Sequence, residues 1–206
     1  MKIIVLFFSS LLFASVVAAQ NIQGGIVAGI STSQVSGDDL SGFHKAGLLL
    51  GASASVRLKA KTGLQMEIEY IEKGSRKIAN VDKNDFWQYS LNLNYIEIPL
   101  IFRYFYKESL ILGTGLAYAS LLSWKEHSED VSGVLATNSR AMHPYDVSFL
   151  LEAAYPLGGK VMFGWRFSNS VIPIRKHQSG ATYQLNLGQY NTVMSFALSY
   201  IFKKTN

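Results

Sequence analysis

Along most of the chain, large apolar residues alternate one for one with small, polar or charged residues. In "HKAGLLLGASASVRLKA", Leu48, Leu50, Ala52, Ala54, Val56 and Leu58 share one face. Gly47, Gly51, Ser53, Ser55, Arg57 and Lys59 share the other. "LQMEIEY" sets Leu64, Met66, Ile68 and Tyr70 against Gln65, Glu67 and Glu69. "LILGTGLAYASLL", "YDVSFLLEAAY", "KVMFGWRFS" and "NTVMSFALSYIF" repeat the pattern. A period of two, repeated this often, predicts strands with one apolar and one polar face.

"YIEIPLIFRYFY" belongs to the same set. Ile96, Ile98, Leu100, Phe102, Tyr104 and Tyr106 fall on one face, and Glu97, Pro99, Arg103 and Phe105 on the other. Just upstream, Tyr89, Leu91, Leu93 and Tyr95 are apolar at odd positions, so the alternation slips at Tyr95–Ile96. One extra residue there, a β-bulge, is the expected cause. Pro99 offers no N–H and is expected to interrupt the ladder locally.

With "NIQGGIVAGIS" as the first, eight strands are predicted. The connections alternate long and short: 32–42, 61–63, 74–88, 107–109, 124–144, 156–159 and 170–189. This alternation predicts an all-β, up-and-down antiparallel barrel with turns at one end and loops at the other. Strands of about 10 to 18 residues exceed the roughly 9–11 that a tilted membrane strand needs. The apolar faces would meet lipid and the polar faces a lumen. An eight-stranded barrel is narrow enough for side chains to fill it. Its lumen would collect Arg57, Lys59, Arg103 and Arg166 with Glu67, Glu69, Glu97 and Glu152, a structural charge network. Folding about the short turns is expected to set Arg57 opposite Glu67 and Glu152 within a diagonal of Arg166. Glu67 or Glu69 is the expected partner of Arg103. Tyr104, Tyr106, Tyr155, Tyr200 and Phe202 would ring the turn end, and Phe43, Tyr89, Trp124 and Tyr145 the loop end, as aromatic girdles.

Composition places this barrel. "MKIIVLFFSSLLFASVVAAQ" has a basic start, a short apolar run and small residues before Gln20, so residues 1–19 read as a signal peptide and 20–206 as the barrel domain. Cysteine is absent, which excludes disulfides, thiolate catalysis and cysteine metal sites. The net charge of +5 is modest and not gathered into a stripe, so no nucleic acid is expected as a partner. Glu126, His127, Glu129 and Asp130 in "WKEHSEDVSG" carry metal-ligand chemistry but read as a solvated loop. His143 and Ser148 match no hydrolase motif. "IRKHQSG" at 174–180 could touch anionic headgroups. No cofactor, resident metal or enzyme activity is expected.

The chain resembles the Bacteroidetes outer-membrane β-barrel family that includes PorT-like proteins. "YIEIPLIFRYFY" is similar to its aromatic-x-Glu-Ile-Pro-Leu run. "GIVAGIS", "LQMEIEYIEKGSRK" and "LILGTGLAYASLL" resemble the strands around it. The resemblance implies residence in the outer membrane and an accessory role in protein secretion by the type IX pathway. The terminal Tyr200-Ile201-Phe202 resembles the aromatic-ended strand read by the barrel-assembly machinery. The expected partners are outer-membrane lipid, that machinery during insertion, and a protein met through the external loops. A narrow solute channel, a lipid-modifying barrel enzyme and a soluble lipocalin-like barrel are the alternative readings.

Overall fold

The computed structural model describes residues 22–38, 40–106, 109–135, 141–177 and 188–202; the expected signal peptide lies outside them. The strands are β1 (Ile22–Ser36), β2 (Lys45–Lys59), β3 (Thr62–Lys77), β4 (Gln88–Tyr106), β5 (Leu110–Asp130), β6 (Gly133–Val134), β7 (Tyr145–Gly158), β8 (Val161–Ser170) and β9 (Tyr190–Ile201). β6 only turns back on the tip of β5, pairing Val134 with Glu129. The other eight pair antiparallel in the ring β4-β3-β2-β1-β9-β8-β7-β5, which β5 closes on β4. Closure removes every sheet edge, the condition for crossing a bilayer with strands. The first strand runs further than its sequence suggests, to Ser36 rather than to residue 31, and β5 reaches Asp130.

The outer surface is a belt of exposed apolar side chains, including Ile26, Leu50, Ile68, Leu100, Leu116, Leu151 and Leu198. Tyr104, Tyr106, Tyr155, Tyr200 and Phe202 stand exposed at its short-turn edge. Tyr145 stacks on Tyr118 at 6.2 Å toward the other edge. Tyr89 departs from the expected girdle and turns inward, giving its hydroxyl hydrogen to Glu126 Oε1 at 2.6 Å. The Glu126 carboxylate and burial both push that phenol above its ordinary range, burial the more.

The slip expected in β4 does not occur. Leu91, Leu93, Tyr95, Glu97, Ile101 and Arg103 are all buried on one unbroken inner face. Above Tyr95 the inner face is apolar and the outer face is polar, with Ser90, Asn92 and Asn94. Below it the outer face is apolar and the inner face carries Glu97 and Arg103. The alternation inverts because the solvent outside the strand changes from water to lipid, not because a residue is inserted. A real extra residue lies on the neighbour: Asn94 pairs with Ser123 but Tyr95 with Leu121, leaving Leu122 of β5 as the bulge. Pro99 falls where the β3–β4 ladder breaks between Met66↔Leu100 and Glu69↔Glu97, in unchanged register.

This inversion marks the membrane boundary. From Ile96 to Gln88 the strand advances about 27 Å, so β3, β4 and β5 continue well beyond the lipid belt as a projecting sheet. Gly74 lies in that projection with φ +141°, and a Cβ there would overlap the Leu91 carbonyl oxygen. Gly74→Ala is expected to lower unfolding stability by at least the roughly 1–3 kcal/mol of such backbone strain. Urea titration of refolded protein, followed by circular dichroism, checks it.

Candidate functional site

The bore is crossed by three polar layers. Arg166 on β8 anchors the deepest. β8 and β3 are diametrically opposite in the ring. Yet Arg166 Nη2 donates to Glu67 Oε2 at 2.9 Å, and Nη1 to Glu69 Oε1 at 3.2 Å, both on β3. Nη2 also donates to Glu152 Oε2 at 2.9 Å, on the adjoining β7. One guanidinium therefore spans the bore and gathers three carboxylates. Its planar fork and low hydration suit it to that task better than an ammonium. Arg103 completes the layer: Nε donates to Glu152 Oε1 at 2.7 Å, and Nη1 reaches Gln65, which in turn donates to Glu67.

In the second layer, Lys73 on β3 bonds Glu97 on β4 and lies 3.7 Å from Asp146 Oδ2 on β7. Asn191 Nδ2 of β9 donates to the same oxygen at 3.0 Å. An apolar cluster that includes Leu49, Ile71, Leu91, Leu93, Ile174 and Val193 fills the bore beside and above this layer. Capping it, Arg175 grips Glu126 with two nitrogens, at 2.6 and 2.9 Å, and donates through Nε to Gln189 Oε1 at 2.9 Å. Between the walls of the deepest layer remains a cavity of about 20 Å³, room for little more than one water.

Six of the eight expected network residues meet in these layers: Glu67, Glu69, Glu97, Arg103, Glu152 and Arg166. Their pairings differ in part from expectation. Glu152 and Arg166 are direct cross-strand partners. Arg103 bonds Glu152 rather than Glu67 or Glu69, and reaches Glu67 only through Gln65. Arg57 and Lys59 do not join. The register sets Arg57 opposite Gly63, not Glu67. Both side chains are exposed at the short-turn rim, where Arg57 lies over the Phe105 ring at 3.9 Å.

Lys73, Asp146, Glu126 and Arg175 were missed. Lys73 continues the odd parity of Glu67 and Glu69 by two positions, and Asp146 already lies on the polar face of "YDVSFLLEAAY" with Glu152, so parity points to both. Nothing local signals Glu126 or Arg175. The Leu122 bulge turns Glu126 inward, and Arg175 comes from a connection rather than a strand. Arg175 is fully buried, so it is not the headgroup contact expected of "IRKHQSG". Capture of Glu126 also splits the acidic loop: His127 and Glu129 pair with each other at 2.9 Å on the outside. Among the described residues no His, Asp and Glu group has the geometry of a metal site.

A closed eight-stranded barrel with an apolar belt, aromatic edges and a polar interior is an outer-membrane β-barrel. The chain belongs to the family described as outer membrane protein beta-barrel domain, whose model matches residues 18–176, and it resides in the outer membrane. It is similar in fold to Neisserial surface protein A, at 11% identity and a TM-score of 0.53 over 88% of this chain and 99% of the other. It is likewise similar to Ail, the attachment invasion locus protein of Yersinia pestis, solved with the heparin analogue sucrose octasulfate. That match has 11% identity and a TM-score of 0.50 over 88% of this chain and 99% of Ail. No curated protein matches the sequence.

Proposed function

We propose that this barrel is a non-conducting anchor that presents the projecting β3–β5 sheet to a macromolecular partner outside the cell. The observation that carries this reading is the tip of the projection. The 78–87 connection is ordered by an Asn80–Asp85 bridge and by Lys77, which bonds Asp85 at 2.8 Å and lies 4.3 Å over the Trp87 ring. That hydrogen bond holds the Asp85 carboxyl below its ordinary range. A built loop of this kind would be expected to bury its apolar residues, yet Ile78, Val81 and Phe86 are exposed. Val131 and Val134, carried beside them by the β4–β5 pairing, are exposed too. Apolar side chains gathered above the membrane mark an interaction surface. The neighbouring fold of Ail, solved with a sulfated sugar, supports an external ligand as a use for such a barrel.

The layers that cross the lumen support an anchor over a channel, and nothing in them supplies a nucleophile with an aligned base. An accessory role in type IX secretion is the more specific form of this reading, supported by the resemblance of the Glu97-Ile98-Pro99-Leu100 run. Two measurements test it. Purified protein in planar bilayers is expected to give no ion conductance above the lipid baseline; a steady single-channel current would overturn the anchor. Crosslinking from the projecting tip in native membranes is expected to trap a partner that a Val81→Asp, Phe86→Ser variant loses. Equal capture by both proteins would remove the tip as the contact.

A further inference from the structure

The short-turn end of the barrel holds a chamber of about 580 Å³, within the roughly 300–1,000 Å³ of small-molecule sites. Its walls are unlike the rest of the lumen. Phe105, Ile111, Pro156, Met162 and Ile201 line one side, one from each of β4, β5, β7, β8 and β9. These five strands are contiguous in the ring, so the apolar residues form a single arc. The opposite wall, from β1, β2, the β2–β3 turn and the start of β3, carries the polar and cationic Gln23, Ser55, Arg57 and Lys61 beside Val56, Ala60, Gly63 and Leu64. Arg103 lines it from the charged layer beyond. No carboxylate is among the described residues that line it.

Ile111 and Met162 are buried and pack with Ala154, Phe105 and Ile201 as one apolar cluster. The arc is thus a preformed apolar wall, while the lumen immediately beyond is built from charge. Arg57 spends one bond on the Ala60 carbonyl, from Nη1 at 3.1 Å, and its guanidinium carbon lies 3.9 Å from the Phe105 ring centre. Its other donors are left at the seam between the cationic wall and the apolar arc. The lining therefore matches a molecule with a negative head and one hydrocarbon tail, the head on Arg57 and Lys61 and the tail along Phe105, Ile111 and Met162.

We propose that this chamber binds a single-chain anionic amphiphile, with a carboxylate or phosphate head, entering from the periplasmic side. Both heads offer oxygens to a guanidinium, and the apolar arc distinguishes them from inorganic anions.

The test is calorimetric titration of the full barrel in nanodiscs of zwitterionic lipid, with protein-free nanodiscs subtracted. The probes are octanoate, octyl phosphate, inorganic phosphate and octyltrimethylammonium. Octanoate or octyl phosphate is expected to bind saturably, one per barrel, and at least tenfold more tightly than the other two. Which of the two binds better identifies the head. Arg57→Glu is expected to lose at least tenfold; the residue is exposed and outside the buried network, so the barrel should remain folded. Ile111→Asn, within the arc, is expected to weaken the amphiphile without changing inorganic phosphate binding. No binding above empty nanodiscs overturns the site. Equal binding of octyltrimethylammonium, of inorganic phosphate or by Arg57→Glu overturns the amphiphile assignment.

Discussion

Leu100→Arg is expected to prevent stable insertion of the barrel. Leu100 is 54% exposed on the outer face of β4, paired across the belt with Met66 and Leu116. Tyr104 lies four residues toward one edge of the lipid and the polarity inversion at Ile96 four toward the other, so the position is near mid-membrane. An arginine there costs about 2–4 kcal/mol against lipid. Val131→Arg is the control. Val131 is 77% exposed at the β5–β6 turn, outside the belt, and surface changes of that kind stay within about 0.5 kcal/mol. Folding of both variants into preformed vesicles, followed by urea titration, measures the difference. Equal stability would show that the outer face of β4 does not meet lipid.

The second large effect is expected at Arg166. Substitution by Met leaves Glu67, Glu69 and Glu152 without the cation they share. Removing one partner of a buried ion pair costs about 3–5 kcal/mol. Here Glu67 and Glu69 lose their only direct cation, while Glu152 keeps Arg103. Arg166→Met is therefore expected to cost more than Lys73→Met, whose main partner is Glu97 alone. Adding Glu69→Gln to Arg166→Met is expected to recover part of the loss, a coupling of about 0.5–3 kcal/mol by double-mutant cycle. Strictly additive losses would show that Glu69 and Arg166 do not depend on each other.

Much of this was legible in the sequence, for a physical reason. Where lipid lies on one side of a strand and a packed polar bore on the other, the alternation is unambiguous. Leu64 to Tyr70 display it without exception, and Ile96 to Tyr106 with only Pro99, Ile101 and Phe105 apolar on the inner face. The same rule misled above the membrane. Leu91 and Leu93 looked like lipid-facing residues out of phase, because apolar was equated with outward. Once water replaces lipid outside the barrel, apolar means inward, and both residues are fully buried. The placement of Arg57 and Lys59 failed differently. Parity tells which face a side chain takes but not how far along the bore it sits, and both lie at the rim. Arg175 was beyond reach, since its burial depends on Gln189 and Glu126, distant in sequence and carried on different elements.

The central claim is that β4 keeps one inner face throughout while its surroundings change from water to lipid at Tyr95–Ile96. A single-cysteine scan from Gln88 to Tyr106 tests it directly, because the chain has no native cysteine to remove. Spin labels are read for collision with oxygen, which concentrates in lipid, and with a water-soluble nickel chelate. Labels at Ile98, Leu100 and Phe102 are expected to favour oxygen, and those at Ser90, Asn92 and Asn94 the chelate. Labels at Leu91, Leu93, Glu97 and Ile101 are expected to be shielded from both. A maximum that moves from even to odd positions on crossing Tyr95 would contradict the account and restore a bulge within the strand.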